Sequence, residues 1–203
     1  MNAVLYVHGK GGSADEAERF VPLFPSCRVT GLDYRSDLPW EAGAYIKEAV
    51  LSLSAEYGRI ILIANSIGAF FVMNAGIEKY IDHAYFISPI VDMENLILDM
   101  MRAANVSRAE LMEKGSVHTA SGEDLSWDYL SFVQNNPVKW NANTYILYGS
   151  EDALTPSDTI AWFSKSFGAD LTVMEGGEHW FHTEEQFRFL ENWIKGKESA
   201  RPV

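Results

Sequence analysis

An alcohol, an imidazole and a carboxylate can together perform acyl transfer. The imidazole takes the alcohol's proton, and the carboxylate fixes the imidazole's tautomer and stabilises its cation. Candidates for all three follow apolar, strand-like runs in this sequence. The clearest is Ser66, in Ile60-Ile61-Leu62-Ile63-Ala64-Asn65-Ser66-Ile67-Gly68-Ala69. A strongly apolar run stops at a serine with small residues, Ala64 and Gly68, two positions to either side, and a helical pattern follows. Small neighbours suit a tight strand-to-helix turn, because the serine backbone is strained there and the adjoining elements pack closely. Such a turn projects Oγ at the carboxyl edge of a sheet and sets the Ile67 amide at a helix N-terminus, ready to stabilise an oxyanion. On the local residues alone, a plain helix N-cap at Ser66 is an equal reading.

Val4-Leu5-Tyr6-Val7-His8-Gly9-Lys10-Gly11-Gly12-Ser13 is a second apolar run, ending in a glycine-rich loop. Glycines allow positive φ and a close approach of backbone amides to an anionic oxygen, so the loop can supply a second oxyanion donor, the Lys10 amide. Phosphate binding is the competing reading, but neither the Walker nor the G-x-G-x-x-G spacing is present. His8 reads as a brace for the loop rather than as a base. A third run leads into Tyr148-Gly149-Ser150-Glu151-Asp152-Ala153-Leu154-Thr155-Pro156, which offers two acids. A fourth leads into Met174-Glu175-Gly176-Gly177-Glu178-His179-Trp180-Phe181, which offers the imidazole. Each loop alone reads equally as turn chemistry or surface charge. Taken together, they place serine, acid and histidine after three different strands.

Those loops need a frame. Apolar runs over Ala3–Val7, Cys27–Leu32, Ile60–Ala64, Ala84–Ser88, Thr144–Tyr148 and Leu171–Met174 are nearly continuous, as strands covered on both faces tend to be. Helical patterns near Asp15–Val21, Trp40–Tyr57, Ile67–Tyr80, Ser157–Phe167 and Thr183–Lys195 alternate with them, which predicts right-handed crossovers and a parallel sheet. Thr183 with Gln186 reads as a capping box, and Ser157 as a possible cap beside Pro156. From Asp92 to Trp140 no strand pattern is evident, while helical patterns recur at Met93–Ala104, Arg108–Lys114 and Asp128–Asn135. An insertion of that length between core strands is expected to be a cap or lid over a site. Gly196 to Val203 reads as a frayed end.

Composition sets the bounds. The 203 residues fit one domain, and 47% hydrophobic with 13% aromatic residues suffice for a substantial core. Sixteen Lys and Arg against 28 Asp and Glu give a net charge of −12, which makes nucleic acid a poor partner. No run approaches the roughly 20 apolar residues of a membrane span, and the N-terminus lacks the pattern of a secretory signal. Cys27 is the only cysteine, so no internal disulfide is possible and a reducing, cytoplasmic setting is expected. No Cys or His–acid cluster has metal-ligand spacing, so no metal and no cofactor are expected.

Motif for motif, the chain resembles the α/β-hydrolase superfamily over essentially its whole length. His8-Gly9-Lys10-Gly11-Gly12 is similar to that family's H-G-x-G-G oxyanion loop, and Ala64-Asn65-Ser66-Ile67-Gly68 to its nucleophile elbow. Gly149-x-x-Asp152 with Pro156 is similar to the stretch carrying its acid, and Gly177-x-His179 to its histidine loop. Ala64 stands in place of the commoner first glycine, and Asn65 where histidine is often found. Only Met1 and Asn2 precede the first strand, so the two antiparallel strands that often open this fold are not expected. The resemblance implies an α/β fold of about six mostly parallel strands with helices on both faces, as one domain over 1–203 with 92–140 as a helical cap.

The implied activity is hydrolysis of a small-molecule carboxylic ester or thioester through an acyl-enzyme. Ser66 is the expected nucleophile, His179 the base and Asp152 the acid, with the Lys10 and Ile67 amides as the oxyanion hole. Glu151 and, more strongly, Asp92 are rival acids. His182, His83 and His118 are expected to be structural or surface residues. Trp127, Tyr129, Phe132, Trp140, Trp180 and Phe181 suit either an acyl pocket or the core. Perhydrolase or lyase chemistry on the same residues, or a binding protein that kept the fold, are the alternatives.

Overall fold

Strand-forming runs that are apolar at every position must be covered on both faces, and the only economical way to do that is a parallel sheet between layers of helices. In the computed structural model, which describes residues 1–201, six such runs form one sheet. They are β1 (Asn2–Val7), β2 (Cys27–Gly31), β3 (Ile60–Asn65), β4 (Ile81–Ile87), β7 (Thr144–Gly149) and β8 (Asp170–Met174). The order is β2-β1-β3-β4-β7-β8, with every neighbouring pair parallel.

Side chains alternate between the two faces of a strand. Val4, Tyr6, Ile61, Ile63, Tyr85, Ile87 and Leu147 share one face, covered by Phe20 and Phe24 around a 3-10 segment (Ala14–Leu23) and by Leu190, Trp193 and Ile194 of α7 (Glu184–Ser199). Alternate residues such as Leu5, Leu62 and Ala64 are equally buried, and α1 (Pro39–Glu56) and α2 (Ile67–Asn74) pack against these same strands. Each large apolar side chain fully buried in this way stabilises the fold by about 1.5–3 kcal/mol relative to exposure. The crossover α6 (Ser157–Phe167) joins β7 to β8.

Asp92–Lys139 forms a second compact unit, inserted in sequence between β4 and β7. It holds α3 (Met93–Ala103), α4 (Arg108–Lys114) and α5 (Trp127–Asn135). Their first turns are capped by Asp92, Ser107 and Ser126, each accepting from a backbone N–H three residues on. The unit is not all helical, contrary to expectation. β5 (Ser116–His118) and β6 (Asp124–Ser126) make an antiparallel hairpin around a turn at Thr119–Gly122, where Gly122 has φ +87°. Strands of three largely polar residues carry no readable period-2 signal.

Three helix boundaries also differ from the sequence reading. α2 stops at Asn74 rather than running to Tyr80, because Gly76 turns left-handed (φ +64°) and only a 3-10 turn, Glu78–Tyr80, follows. Ser157 does not cap α6; Pro156 holds the N-cap position, with no side-chain bond. α7 continues through Gly196 to Ser199 instead of fraying, anchored by Glu198 and Arg201; Pro202 and Val203 lie outside the described residues. Thr183 and Gln186 do form the expected capping box. Among the described residues no helix is long and apolar enough to cross a membrane.

Candidate active site

The sheet order reverses at β1, which lies between β2 and β3, and open α/β sheets form their crevices beyond the carboxyl ends of strands at such a point. The loop after β1 and the turn after β3 lie there side by side. Ser66 sits in that turn with φ +52° and ψ −122°, a conformation costing a non-glycine residue about 1–3 kcal/mol. The surroundings enforce it: the Ser66 amide donates to the Ile87 carbonyl at 3.0 Å, and the Ser66 carbonyl accepts from the Ile90 amide at 3.1 Å. Gly68 is required at its position, since a Cβ there would lie 2.4 Å from the His8 carbonyl oxygen.

Although Ser66 occupies the N-cap position of α2, its side chain caps nothing. Its Oγ lies instead 2.8 Å from Nε2 of His179, and His179 Nδ1 lies 2.7 Å from Asp152 Oδ2. A neutral imidazole satisfies both contacts, with Nδ1–H donating to the carboxylate and Nε2 accepting from the hydroxyl. The Asp152 side chain is fully buried, whereas that of His179 is 18% exposed. Asp152 is held on its other oxygen, Oδ1, by the amides of Leu154 (2.8 Å) and Thr155 (3.0 Å). The acid loop and the histidine loop are packed backbone to backbone: a Cβ on Gly149 would lie 2.2 Å from the Gly177 carbonyl oxygen, and the Glu151 amide donates to that same oxygen at 2.8 Å. The arrangement can pass the Oγ proton to Nε2 while the carboxylate stabilises the resulting imidazolium.

The rival residues are engaged elsewhere. Glu151 is exposed, and Asp92 caps α3 through Asn95. His8 is buried, stacks on Tyr34 at 4.2 Å and bonds the Gly9 carbonyl at 2.8 Å, so it braces the glycine loop. His182 bonds the Trp180 carbonyl, and exposed His118 pairs with Asp124. His83 is not a surface residue but a buried one, held between Asp82 and Glu198.

A cavity of about 410 Å³ is lined by Gly9, Lys10, Ser66, Leu154, His179 and Trp180. Gly9 places the oxyanion-type loop against the turn, a Cβ there falling 3.1 Å from Ser66 Cβ. Ile67 is the first residue of α2, so its N–H has no partner within the helix. Of the aromatic candidates, Trp180 lines this cavity, while Phe181 and Trp140 are buried, Trp140 beside Phe86 with its indole N–H on Thr144. Among the described residues no group of three or more His, Cys, Asp or Glu side chains is placed to hold a metal ion.

Two neighbours of the site escaped the sequence reading. Tyr6 donates to Glu16 Oε2 at 2.5 Å and is also bonded to the side chain of Asn65. Burial, and then the Glu16 carboxylate, push the Tyr6 phenol well above its ordinary range, so it stays a donor. Glu16 lines the cavity. A readable signal did exist, since Ser13 and Glu16 have capping-box spacing directly after the glycine loop.

No protein-family model and no curated protein matches the chain. Solved structures do. Est1E from Butyrivibrio proteoclasticus superposes with a TM-score of 0.71 at 17% identity, covering 98% of this chain and 86% of its own. Alpha/beta hydrolase domain-containing protein 10 from mouse gives 0.73 at 15% identity, over 97% of this chain and 89% of its own. An α/β serine hydrolase without a lid from Xanthomonas campestris gives 0.66 at 14%, over 100% and 83%. Likeness at that identity, extending over almost the entire length, is a likeness of architecture: the chain has the α/β-hydrolase fold.

Proposed function

We propose that this protein is a serine hydrolase that cleaves small carboxylic esters or thioesters through an acyl-enzyme. The observation that carries the reading is the unbroken line of hydrogen bonds from Ser66 through His179 to buried Asp152, opening on a cavity. In the first step Oγ attacks the carbonyl carbon as its proton passes to Nε2, and the C=O pair moves onto the oxygen. The Ile67 and Lys10 amides stabilise that oxyanion. The tetrahedral adduct collapses, and the imidazolium returns the proton to the departing alcohol or thiol. Water then repeats the sequence on the acyl-enzyme, releasing the acid and restoring Ser66. In the same reading the inserted segment 92–140 serves as a cap. The fold likeness to other hydrolases supports this chemistry without specifying a substrate.

A fluorophosphonate probe tests the assignment directly. Wild-type protein should be labelled at Ser66, and Ser66→Ala should abolish both labelling and turnover of p-nitrophenyl esters. Labelling that survives in Ser66→Ala would discard Ser66 as the nucleophile.

A further inference from the structure

The cavity that holds Ser66 and His179 shares Glu16, Asn65 and Trp180 with a second one of about 230 Å³. The second cavity is set between the 3-10 segment and α7. Most of its wall is apolar, with Phe20, Ile87, Phe181 and Leu190 belonging to the core face of the sheet. One edge is polar. There Glu16 receives the Tyr6 hydroxyl on Oε2 at 2.5 Å and the Ser13 amide on Oε1 at 3.2 Å. An ionised carboxylate only accepts, and it offers about four lone-pair positions. Glu16 therefore keeps acceptor capacity for a donor entering either cavity. Trp180, 70% exposed and stacked on His182, flanks both.

We infer that the second cavity is the specificity pocket of the site, and that Glu16 selects a substrate arm bearing a hydrogen-bond donor, a hydroxyl or an ammonium, on a short aryl or alkyl group. The inference rests on the hydrolase reading for the reaction, but the chemistry of the pocket stands apart from it. Two cations border the region, Lys10 on the nucleophile side and Arg19 on the far side. The Arg19 guanidinium lies over the Phe187 ring, 3.1 Å from its centroid, and is opposed by Glu191 and by Glu16 itself. Glu16 is the charged side chain common to both cavities, in a protein whose net charge of −12 favours cations overall.

Four p-nitrophenyl 3-arylpropanoates, differing only in a para methyl, hydroxymethyl, aminomethyl or carboxylate group on the ring, put this to the test. Wild-type protein should prefer the hydroxymethyl and aminomethyl esters to the methyl ester by roughly three- to tenfold in kcat/KM, with the carboxylate poorest. Glu16→Gln removes the charge while its one oxygen can still accept the Ser13 amide and its NH2 can donate to the Tyr6 oxygen, and it should reduce the aminomethyl-to-methyl ratio by about tenfold. Equal turnover of the methyl and aminomethyl esters by the wild type, a preference for the carboxylate, or a ratio unmoved by Glu16→Gln overturns the inference while leaving a hydrolase in place. Saturation-transfer NMR with 4-methylbenzylammonium and 4-methylbenzoate reads the same selectivity without turnover. If no ester is cleaved, the hydrolase reading falls and this pair alone decides: binding of the ammonium only, lost in Glu16→Gln, supports the pocket, and equal binding of the two ions overturns it.

Discussion

Two imidazoles meet carboxylates at opposite edges of one sheet, and their differences separate a reactive arrangement from a structural one. His179, beyond the carboxyl end of β8, has a carboxylate on one nitrogen and an alcohol on the other, and its side chain reaches a cavity. His83, near the start of β4, has carboxylates on both: Asp82 at 2.8 Å on Nδ1 and Glu198 at 2.7 Å on Nε2. Its side chain is 1% exposed. Tyr85 also donates to Glu198 at 2.6 Å, and Arg201 to Asp82 at 2.5 Å. Carboxylate oxygens occupy both ring nitrogens of His83, so neither is placed against a hydroxyl whose proton it could take. His179 has one nitrogen against the Ser66 hydroxyl. A nearby acid is therefore a poor sign of a catalytic histidine, and the identity of the second partner is the better one.

Exchanging the two residues for alanine breaks the comparison most sharply. His179→Ala should lower turnover of p-nitrophenyl esters by roughly 10⁵–10⁶. It should lower the melting temperature less than His83→Ala does, because the open cavity lets water replace the ring beside Asp152, whose other oxygen stays bonded to the Leu154 and Thr155 amides. Steady-state kinetics beside thermal unfolding reads both at once, and comparable activity in the variant would remove His179 from the chemistry. Asp152→Asn should cost less, about 10⁴ in kcat, because an amide at the buried Oδ2 position favours the wrong tautomer of His179 without emptying its place. An effect below about tenfold would mean that another group orients the ring.

His83→Ala should reverse the pattern. Removing a buried ring that joins β4 to α7 leaves Asp82 and Glu198 facing each other without their shared donor, a loss of about 2–3 kcal/mol. For a chain of this length that is a fall of about 5–10 °C in melting temperature, with kcat/KM of the folded protein unchanged. A variant that kept its melting point but lost activity would make the two histidines functionally alike.

The contrast also marks what could be read from residues alone. The six sheet strands were legible because fully covered strands are apolar at every position, and their order in the chain already brought the loops of Ser66, Asp152 and His179 to one edge. Local spacing left the acid open among Glu151, Asp152 and Asp92; what separates them is the pairing of Gly149 with Gly177, a contact between segments that lie far apart in sequence. Glu198 escaped for a similar reason. It lies 115 residues from His83, in a stretch whose Gly196 and terminal place suggested fraying, and the helix persists there because tertiary bonds hold its end. The β5–β6 hairpin was hidden by its brevity. Tyr6 reads as an ordinary core aromatic, and its hydroxyl acquires meaning only with Glu16 and Asn65 beside it.

The smallest expected effect sharpens the structural side of the comparison. Burial works to raise the Glu198 pKa, but hydrogen bonds from His83 and Tyr85, with the charges of His83 and Arg201, outweigh it and hold the carboxyl below its ordinary value. A carboxyl depressed in the folded state favours folding above its unfolded pKa, and that contribution is lost as pH falls through the folded value. Thermal stability should therefore decline on acidification below the usual glutamate range of about 4.3. Glu198→Gln should start lower at neutral pH and lose less as pH falls below about 4.3, so that the two melting curves converge there. Glu198 is partly open to solvent, which keeps the difference small and salt-sensitive. Parallel declines in wild type and variant would show that the acid response arises elsewhere, and that the His83 cluster holds α7 by packing rather than by charge.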